Sequence, residues 1–299
     1  MIWLFLNHRY MLAVTLCLMA VGCRSMGKQQ PTQAAIADGR QFSRQGLAAL
    51  ETGQYLEAET LLQQAVDAVP SDPDSRRYLA EAFWQRGATT KAIRQIESAH
   101  ALSPTDPAIA VRAGQMMLAV GDSDRALVRA ERAIRIDPQL PEAWALRGRA
   151  YWQKKDADQA LADLQRALQY SPAAPDLLID LANLYYQRGQ SQRCLTTLHR
   201  LLDAHPTGEE PLEAVVLEGK AYLAMGLPIQ ASEKFTQVKS RSESSPDLCC
   251  LLAQAELAAG RSDAALAAAR EAVALDGGHM ASREILAKLA AESSGTILR

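Results

Sequence analysis

The 299-residue sequence predicts an all-α fold built from a short internal repeat, on three observations. Aromatic residues make up only 5% of the chain while alanine is abundant, which favours close-packed helices over a sandwich that needs β-branched and aromatic strand residues. Pro70, Pro104, Pro138, Pro172 and Pro206 follow one another at intervals of 34 residues. Small residues recur in the same register: Gly46, Ala80, Gly114, Gly148 and Ala182 form one column, and Ala58, Ala92, Ala126, Ala160 and Cys194 form another. The length suits two domains or one elongated array. A net charge of −2 argues against nucleic acid as a partner, because phosphate binding needs a concentrated basic surface. There is no second long apolar run, which excludes a polytopic membrane protein. The five cysteines contain no CxxC pair, so neither a zinc site nor a disulfide framework is expected.

In chain order, residues 1–22 read as an export signal. His8 and Arg9 supply a polar, basic n-region, and residues 11–21 are an unbroken apolar or small run of h-region length. The run ends in Ala20-Val21-Gly22-Cys23. This resembles the bacterial lipobox, in which small residues precede a cysteine that is acylated and becomes the mature N-terminus, although Ala20 stands where Leu is usual. The resemblance implies lipidation of Cys23. Cys17 fits less well, because Leu16 is too large for the cleavage-site residue. A rival reading is an uncleaved transmembrane anchor, in which residues 2–6 and 11–21 cross the bilayer together and Asn7, His8 and Arg9 bear a high cost in its middle. Arg24 after the cysteine, in place of Asp, points to the outer membrane, facing the periplasm. Residues 23–38 are rich in Gln, Pro, Ser, Gly and Lys without apolar periodicity. They are expected to form a flexible tether holding the body about 20 Å from the surface.

The 34-residue period resembles the tetratricopeptide repeat, a helix–turn–helix unit. With the ladder proline at position 32, units begin at Gly39, Pro73, Pro107, Pro141 and Pro175. The two small columns are then positions 8 and 20, where helices A and B cross and only a small side chain lets the backbones approach. Position 27 is Ala65, Ala99, Ala133 and Ala167, with Leu201 departing. Position 15, the turn, is Gly53, Gly87, Gly121 and Gly189, with Lys155 the exception. A glycine there accepts the left-handed conformation that ends helix A. Proline at position 1 loses nothing by lacking an N–H, and proline at 32 stops helix B.

After a slip of three residues in the loop 204–211, two more units follow. Gly219, Tyr222, Gly226, Ala231 and Phe235 fit a unit starting at Leu212; Ala253, Gly260, Ala265 and Ala272 fit one starting at Pro246. Unit six lacks its terminal proline, so units six and seven are expected to tilt away from the first five. The expected organisation is five units in 39–208, two in 209–279, and a capping helix and tail in 280–299, with the helix over 280–292 and a frayed end. The resemblance thus implies a right-handed superhelical solenoid of about seven repeats plus a C-terminal cap.

In that family helix A lines a concave groove, and positions 2, 5, 9, 12 and 13 often touch a peptide. Here the groove candidates are Trp84, Trp152 and Tyr186 at position 12 and Glu81, Arg149, Asn183 and Lys220 at position 9, with Gln85, Gln153 and Gln187 at position 13. Tryptophan and arginine are residue types that dominate interface energies. Packing of the helix A layer is the competing role for the position 12 aromatics. Tyr151, Tyr185 and Tyr222 at position 11 are expected in the core. Some members clamp a terminal carboxylate with a set of basic and amide residues. Units two to four place Arg77, Glu81, Arg112, Glu142 and Leu146 there, which disfavours that mode.

Enzyme motifs are missing: there is no GxSxG, P-loop or HExxH. His199 and Asp203 share a helix face without an evident third metal ligand, so a solvated face is expected. Cys194 is expected to be a buried small residue. Cys249 and Cys250 are adjacent on one helix, where a disulfide is strained, and Cys250 falls on a groove position. The reading is a non-catalytic, membrane-tethered protein–protein adaptor of the bacterial envelope, with a protein or peptide partner, no metal or cofactor and no small-molecule substrate. It resembles assembly factors of pili and secretins or of the cell wall. A self-associating structural lipoprotein is the alternative, and coverage of the last hydrophobic face by the cap separates the two.

Overall fold

The computed structural model describes residues 32–296. The expected export signal, Cys23, Arg24 and most of the expected tether lie outside the described residues, as does the end of the tail. Within 32–296 there are fifteen α-helices and no strand. They form seven A/B hairpins: α1 (Gln33–Glu51) with α2 (Tyr55–Ala68), α3 (Pro73–Gln85) with α4 (Thr89–Leu102), α5 (Pro107–Ala119) with α6 (Ser123–Ile136), α7 (Pro141–Gln153) with α8 (Ala157–Tyr170), α9 (Pro175–Gln187) with α10 (Ser191–Leu202), α11 (Leu212–Ala224) with α12 (Pro228–Arg241), and α13 (Pro246–Ala258) with α14 (Ser262–Leu275). A last helix, α15 (Met280–Thr296), closes the series.

Helix starts follow from local chemistry. Asp72 and Asp106 cap α3 and α5: each carboxylate accepts from two backbone N–H groups, and a proline occupies the first helical turn, where no N–H is needed. Asp122 and Asp156 cap the B helices α6 and α8, each carboxylate accepting from one backbone N–H, that of Arg125 and of Gln159. The hydroxyl of Thr32 accepts from the Ala35 N–H at 3.2 Å. That cap starts α1 at Gln33, so residues 33–38, expected in the tether, are helical. Ala34, Ala35 and Ala37 favour this, since alanine has the best helix propensity. At the other end α15 runs to Thr296, beyond the expected end at 292.

Each A helix ends in a turn whose position 15 residue has positive φ. Six of these seven residues are glycines, and Lys155 takes the same conformation at φ 65°. Its N–H reaches the Trp152 carbonyl at 2.8 Å and the Asp156 N–H reaches that of Tyr151 at 2.9 Å, as Gly87 and Ala88 do with Trp84 and Phe83. The hairpin geometry therefore imposes the left-handed turn whether or not a glycine is present.

Packing of A on B rests on the small columns. Ala58, Ala92, Ala126, Ala160, Cys194, Ala231 and Ala265 at position 20 have no exposed surface. A Cβ placed on Gly219 would stand 2.5 Å from Phe235 Cε1 of its B helix, and one on Gly114 3.2 Å from Arg129 Cβ of its B helix and 2.4 Å from Leu146 Cδ2 of the next A helix. Leu201, the departure at position 27, is buried in the cluster shared by α8, α9, α10 and α11. Tyr185 is in that core, whereas Tyr151 and Tyr222 are partly buried against it.

The chain divides into two compact bodies between Leu102 and Ser103. The first holds α1–α4 and the second α5–α15. The repeat slip, where a change of tilt was expected, lies within the second body. There Arg241 Nη1 donates to Glu210 Oε2 at 2.8 Å across the slip. Leu202 and Tyr222 pack against the core clusters on both sides of it. In α15, Ile285 and Leu289 are buried against the last repeat, while Arg283, Glu284 and Lys288 are exposed. The cap thus covers the final apolar face and turns charge outwards.

Two substitutions test this packing by urea unfolding. Lys155→Gly is expected to raise stability by up to about 1 kcal/mol, because a side chain in the left-handed region is strained. Gly219→Ala is expected to lower it by about 1–3 kcal/mol, since the added Cβ overlaps the fully buried Phe235 ring, which must shift.

Candidate functional site: the face of the A helices

Polar side chains bond across repeat boundaries, some to a residue six positions back and others to residues 28 to 35 apart. The Pro70 and Pro138 carbonyls accept from Arg76 Nε at 3.0 Å and Trp144 Nε1 at 2.8 Å. Those of Pro104 and Pro172 accept from Arg132 Nη2 and Arg200 Nη2, each at 3.1 Å. A proline ends helix B and leaves its own carbonyl without a helical partner, so the next unit supplies the donor. Basic residues at position 14 pair with acids at the start of the preceding B helix: Lys154 with Asp124, and Arg188 with Asp158 at 2.7 Å.

Position 13 joins this stitching. Gln187 Oε1 accepts from Trp152 Nε1 at 2.7 Å. Gln153 Oε1 accepts from the Ser123 hydroxyl at 2.5 Å. Two of the amides expected to meet a partner therefore also bind the neighbouring repeat.

Charge inside the hairpins follows a second rule. Position 7 of unit four is Arg147, and it forms a two-bond pair with Asp163 at position 23, Nε–Oδ2 2.7 Å and Nη2–Oδ1 2.8 Å. The Asp163 side chain is nearly buried. The bond to Asp163 raises the Arg147 pKa above its usual value, against the opposing effect of burial. Unit six has the pair reversed. Glu218 at position 7 is 2% exposed, and Lys234 at position 23 stands 2.9 Å from its Oε2. His199 Nε2 lies 3.3 Å from Glu218 Oε1. This engages the histidine with the next repeat, not with Asp203 of its own helix. No group of His, Cys, Asp and Glu suited to a metal ion occurs among the described residues.

The groove candidates fall in both bodies. Trp84 and Glu81 lie half-buried on α3 of the first body. On the second, Trp152 and Tyr186 pack against the central core and keep part of each ring in solvent. Arg149 Nε donates to Asp180 Oδ2 of the next A helix at 2.5 Å. Asn183 on α9 and Lys220 on α11 are half-buried. Arg149, Glu142, Ala145, Asp176 and Leu177 line a pocket of about 180 Å³ between α7 and α9. Asp180 and Asp176 were not singled out from the sequence. Asp176, in the first turn of α9, reads there only as helix chemistry, since acids favour helix N-termini, and Asp180 carries no motif.

Burial raises the Asp180 pKa, and Asp176 and Glu213 add to the rise against the pull of Arg149. Burial likewise pushes the Cys194 thiol up to about 12 and raises that of Cys249. Cys250, expected on the groove, is 4% exposed and buried in the core. No helix among the described residues is long and apolar enough to cross a membrane.

An all-helical array with this repeat geometry defines a helical-repeat protein. Models described as the tetratricopeptide repeat match residues 43–107, 83–150 and 151–215, more than half of the chain. The chain belongs to the tetratricopeptide repeat family. Among solved structures it is similar to a tetratricopeptide repeat protein from Parabacteroides merdae ATCC 43184, at 18% identity over 85% of this chain and 98% of that one, with a TM-score of 0.64. It is similar to PilW, a widely conserved type IV pilus biogenesis factor, at 17% identity over 71% and 96% with a TM-score of 0.64. It is also similar to YrrB, a TPR protein with an unusual peptide-binding site, at 18% identity over 63% and 96% with a TM-score of 0.53. At these identities the likeness is one of fold. A comparison with curated protein sequences gives no match. Tetratricopeptide arrays are in general non-catalytic scaffolds for protein–protein interaction.

Two measurements test the site chemistry. In a carboxyl ¹³C titration Asp180 is expected to take its proton above the ordinary range for aspartate, and Arg149→Ala to move it higher still. The folded state then binds that proton more readily than the unfolded chain, so this group favours folding as pH falls through its folded pKa. A thiol reagent at pH 8 is expected to leave Cys194, Cys249 and Cys250 unlabelled in the native protein and to label all three in denaturant.

Proposed function

We propose that this protein is a non-catalytic adaptor of the bacterial envelope, held at a membrane by lipid on Cys23, that binds a protein segment on the face of its A helices. One observation carries the reading. On the second body the A helices present half-exposed aromatic rings at position 12, Trp152 and Tyr186, beside polar side chains at position 9, Arg149, Asn183 and Lys220; Trp84 and Glu81 occupy the same positions on the first body. Amphipathic rings of this kind next to polar groups anchor partner segments. The apolar 11–21 run ending at Ala20-Val21-Gly22-Cys23 supports the lipid anchor, and Arg24 in place of Asp supports an outer-membrane address. Dual or triple acylation is firm anchoring, because each buried methylene contributes about 0.8 kcal/mol. The tether then confines the search for a partner to the membrane plane. A type IV pilus biogenesis factor shares the fold, which favours pilus or secretin assembly as the pathway over cell-wall assembly. The charged outer side of α15 speaks against end-to-end stacking as the main role.

The test is in-cell crosslinking and capture of the tagged full chain. Wild type is compared with Trp152→Ala/Tyr186→Ala and with Asn183→Ala/Lys220→Ala, which spare the core. Defined partners are expected with wild type and at least tenfold less recovery with both variants at unchanged helicity. Equal recovery moves binding off this face. Cys23→Ser is expected to abolish palmitate labelling and release the protein from membranes; retained labelling refutes the lipid anchor.

A further inference from the structure

We infer that the pocket between α7 and α9 receives one lysine or arginine side chain of the partner segment, an inference that rests on the proposed binding role of the A-helix face. The pocket is about 180 Å³. That is below the roughly 300–1,000 Å³ of sites for drug-sized ligands, and it suits a single inserted side chain. Its wall is largely apolar: Ala145 and Leu177 are buried, with Ala174 and Pro141 half-buried beside them and only the uncharged Gln115 and Ser171 as further polar lining. Its mouth carries the exposed carboxylates Glu142 and Asp176. An aliphatic stem ending in a cation matches both parts at once, since basic side chains bury their methylenes and keep the charged head at the polar edge.

Arg149 also lines the pocket, and a free guanidinium there would repel such a guest. It is held by Asp180 at 2.5 Å, so its charge is neutralised within the face. Three carboxylates, Glu142, Asp176 and Asp180, then stand against one guanidinium. Asp176 and Glu213 add negative potential at Asp180, against the larger opposing pull of Arg149. An acidic or purely apolar guest leaves Glu142 and Asp176 unpaired at the mouth.

The probe is a display library of random 12-residue peptides, selected on the full chain and ranked by affinity. Enriched peptides that bind the A-helix face are expected to share one lysine or arginine. Replacing it with norleucine, which keeps the stem and removes the charge, is expected to weaken binding about tenfold. Glu142→Gln/Asp176→Asn is expected to weaken the basic peptide about tenfold and to leave the norleucine peptide unchanged. Both carboxylates are exposed, so this variant tests charge and not folding. Peptides that require Trp152, Tyr186, Asn183 or Lys220 but are indifferent to Glu142→Gln/Asp176→Asn and to norleucine overturn the pocket and leave the groove reading intact. Selected peptides that bind equally to every A-face variant, or a library that gives no A-face binder, overturn both.

Discussion

The close approach of helices A and B at positions 8 and 20 is the constraint on which everything else depends. The side chains at position 20 have no exposed surface, and at Gly114 and Gly219 even one added carbon would overlap a neighbouring side chain. Interiors packed to this density leave no room to accommodate extra volume. Because A and B touch through small residues, larger ones on either side of the seam, such as Leu62, Ile96, Leu146, Leu164 and Phe235, close over it and form the core. The remaining face of each A helix is left uncovered, and that is where the aromatic and polar residues of the candidate site lie. The site is thus a by-product of the packing rule.

Small-residue packing is nearly the same in every unit and cannot by itself fix how one unit sits on the next. Polar bonds across the repeat boundary add that specificity. The ladder prolines stop the B helices, and their carbonyls are then satisfied by side chains of the following unit. These bonds lie at the exposed surface, so each contributes at most on the order of 1 kcal/mol net. Within the hairpins, Arg147–Asp163 and Lys234–Glu218 occupy the same two positions with their charges exchanged. A carboxylate as buried as Glu218 is costly unless paired. The two hairpins therefore reach the same geometry by opposite charge arrangements, and neither partner can be changed alone.

The same economy shapes the functional face. Trp152 is anchored through its indole N–H to Gln187, and Arg149 to Asp180. Both residues are held in place before any partner arrives, which lowers the ordering cost of binding. The competing packing role of the position 12 aromatics is thus part of how they are presented, since Trp152 and Tyr186 rest on the core while showing solvent a part of each ring.

Residues 39–279 announced the repeat, its register and its helix starts from the sequence alone, because prolines, turn glycines and small residues act within one unit and recur every 34 residues. Lys155 was legible as an exception, and the structure adds that its backbone obeys the glycine rule at φ 65°. The start of α1 at Gln33 escaped the sequence reading, since the Thr32 cap and the alanines after it carry the helix about one and a half turns ahead of the repeat unit. What only the tertiary structure decided is which side chains from different units meet. Arg149 with Asp180, Trp152 with Gln187, Glu218 with His199, and the pocket between α7 and α9 depend on stacking and rotamers that bring together residues 19 to 35 apart. Periodicity encodes the fold because it is a local property of the chain. The chemistry of the face is a property of neighbours that only packing creates.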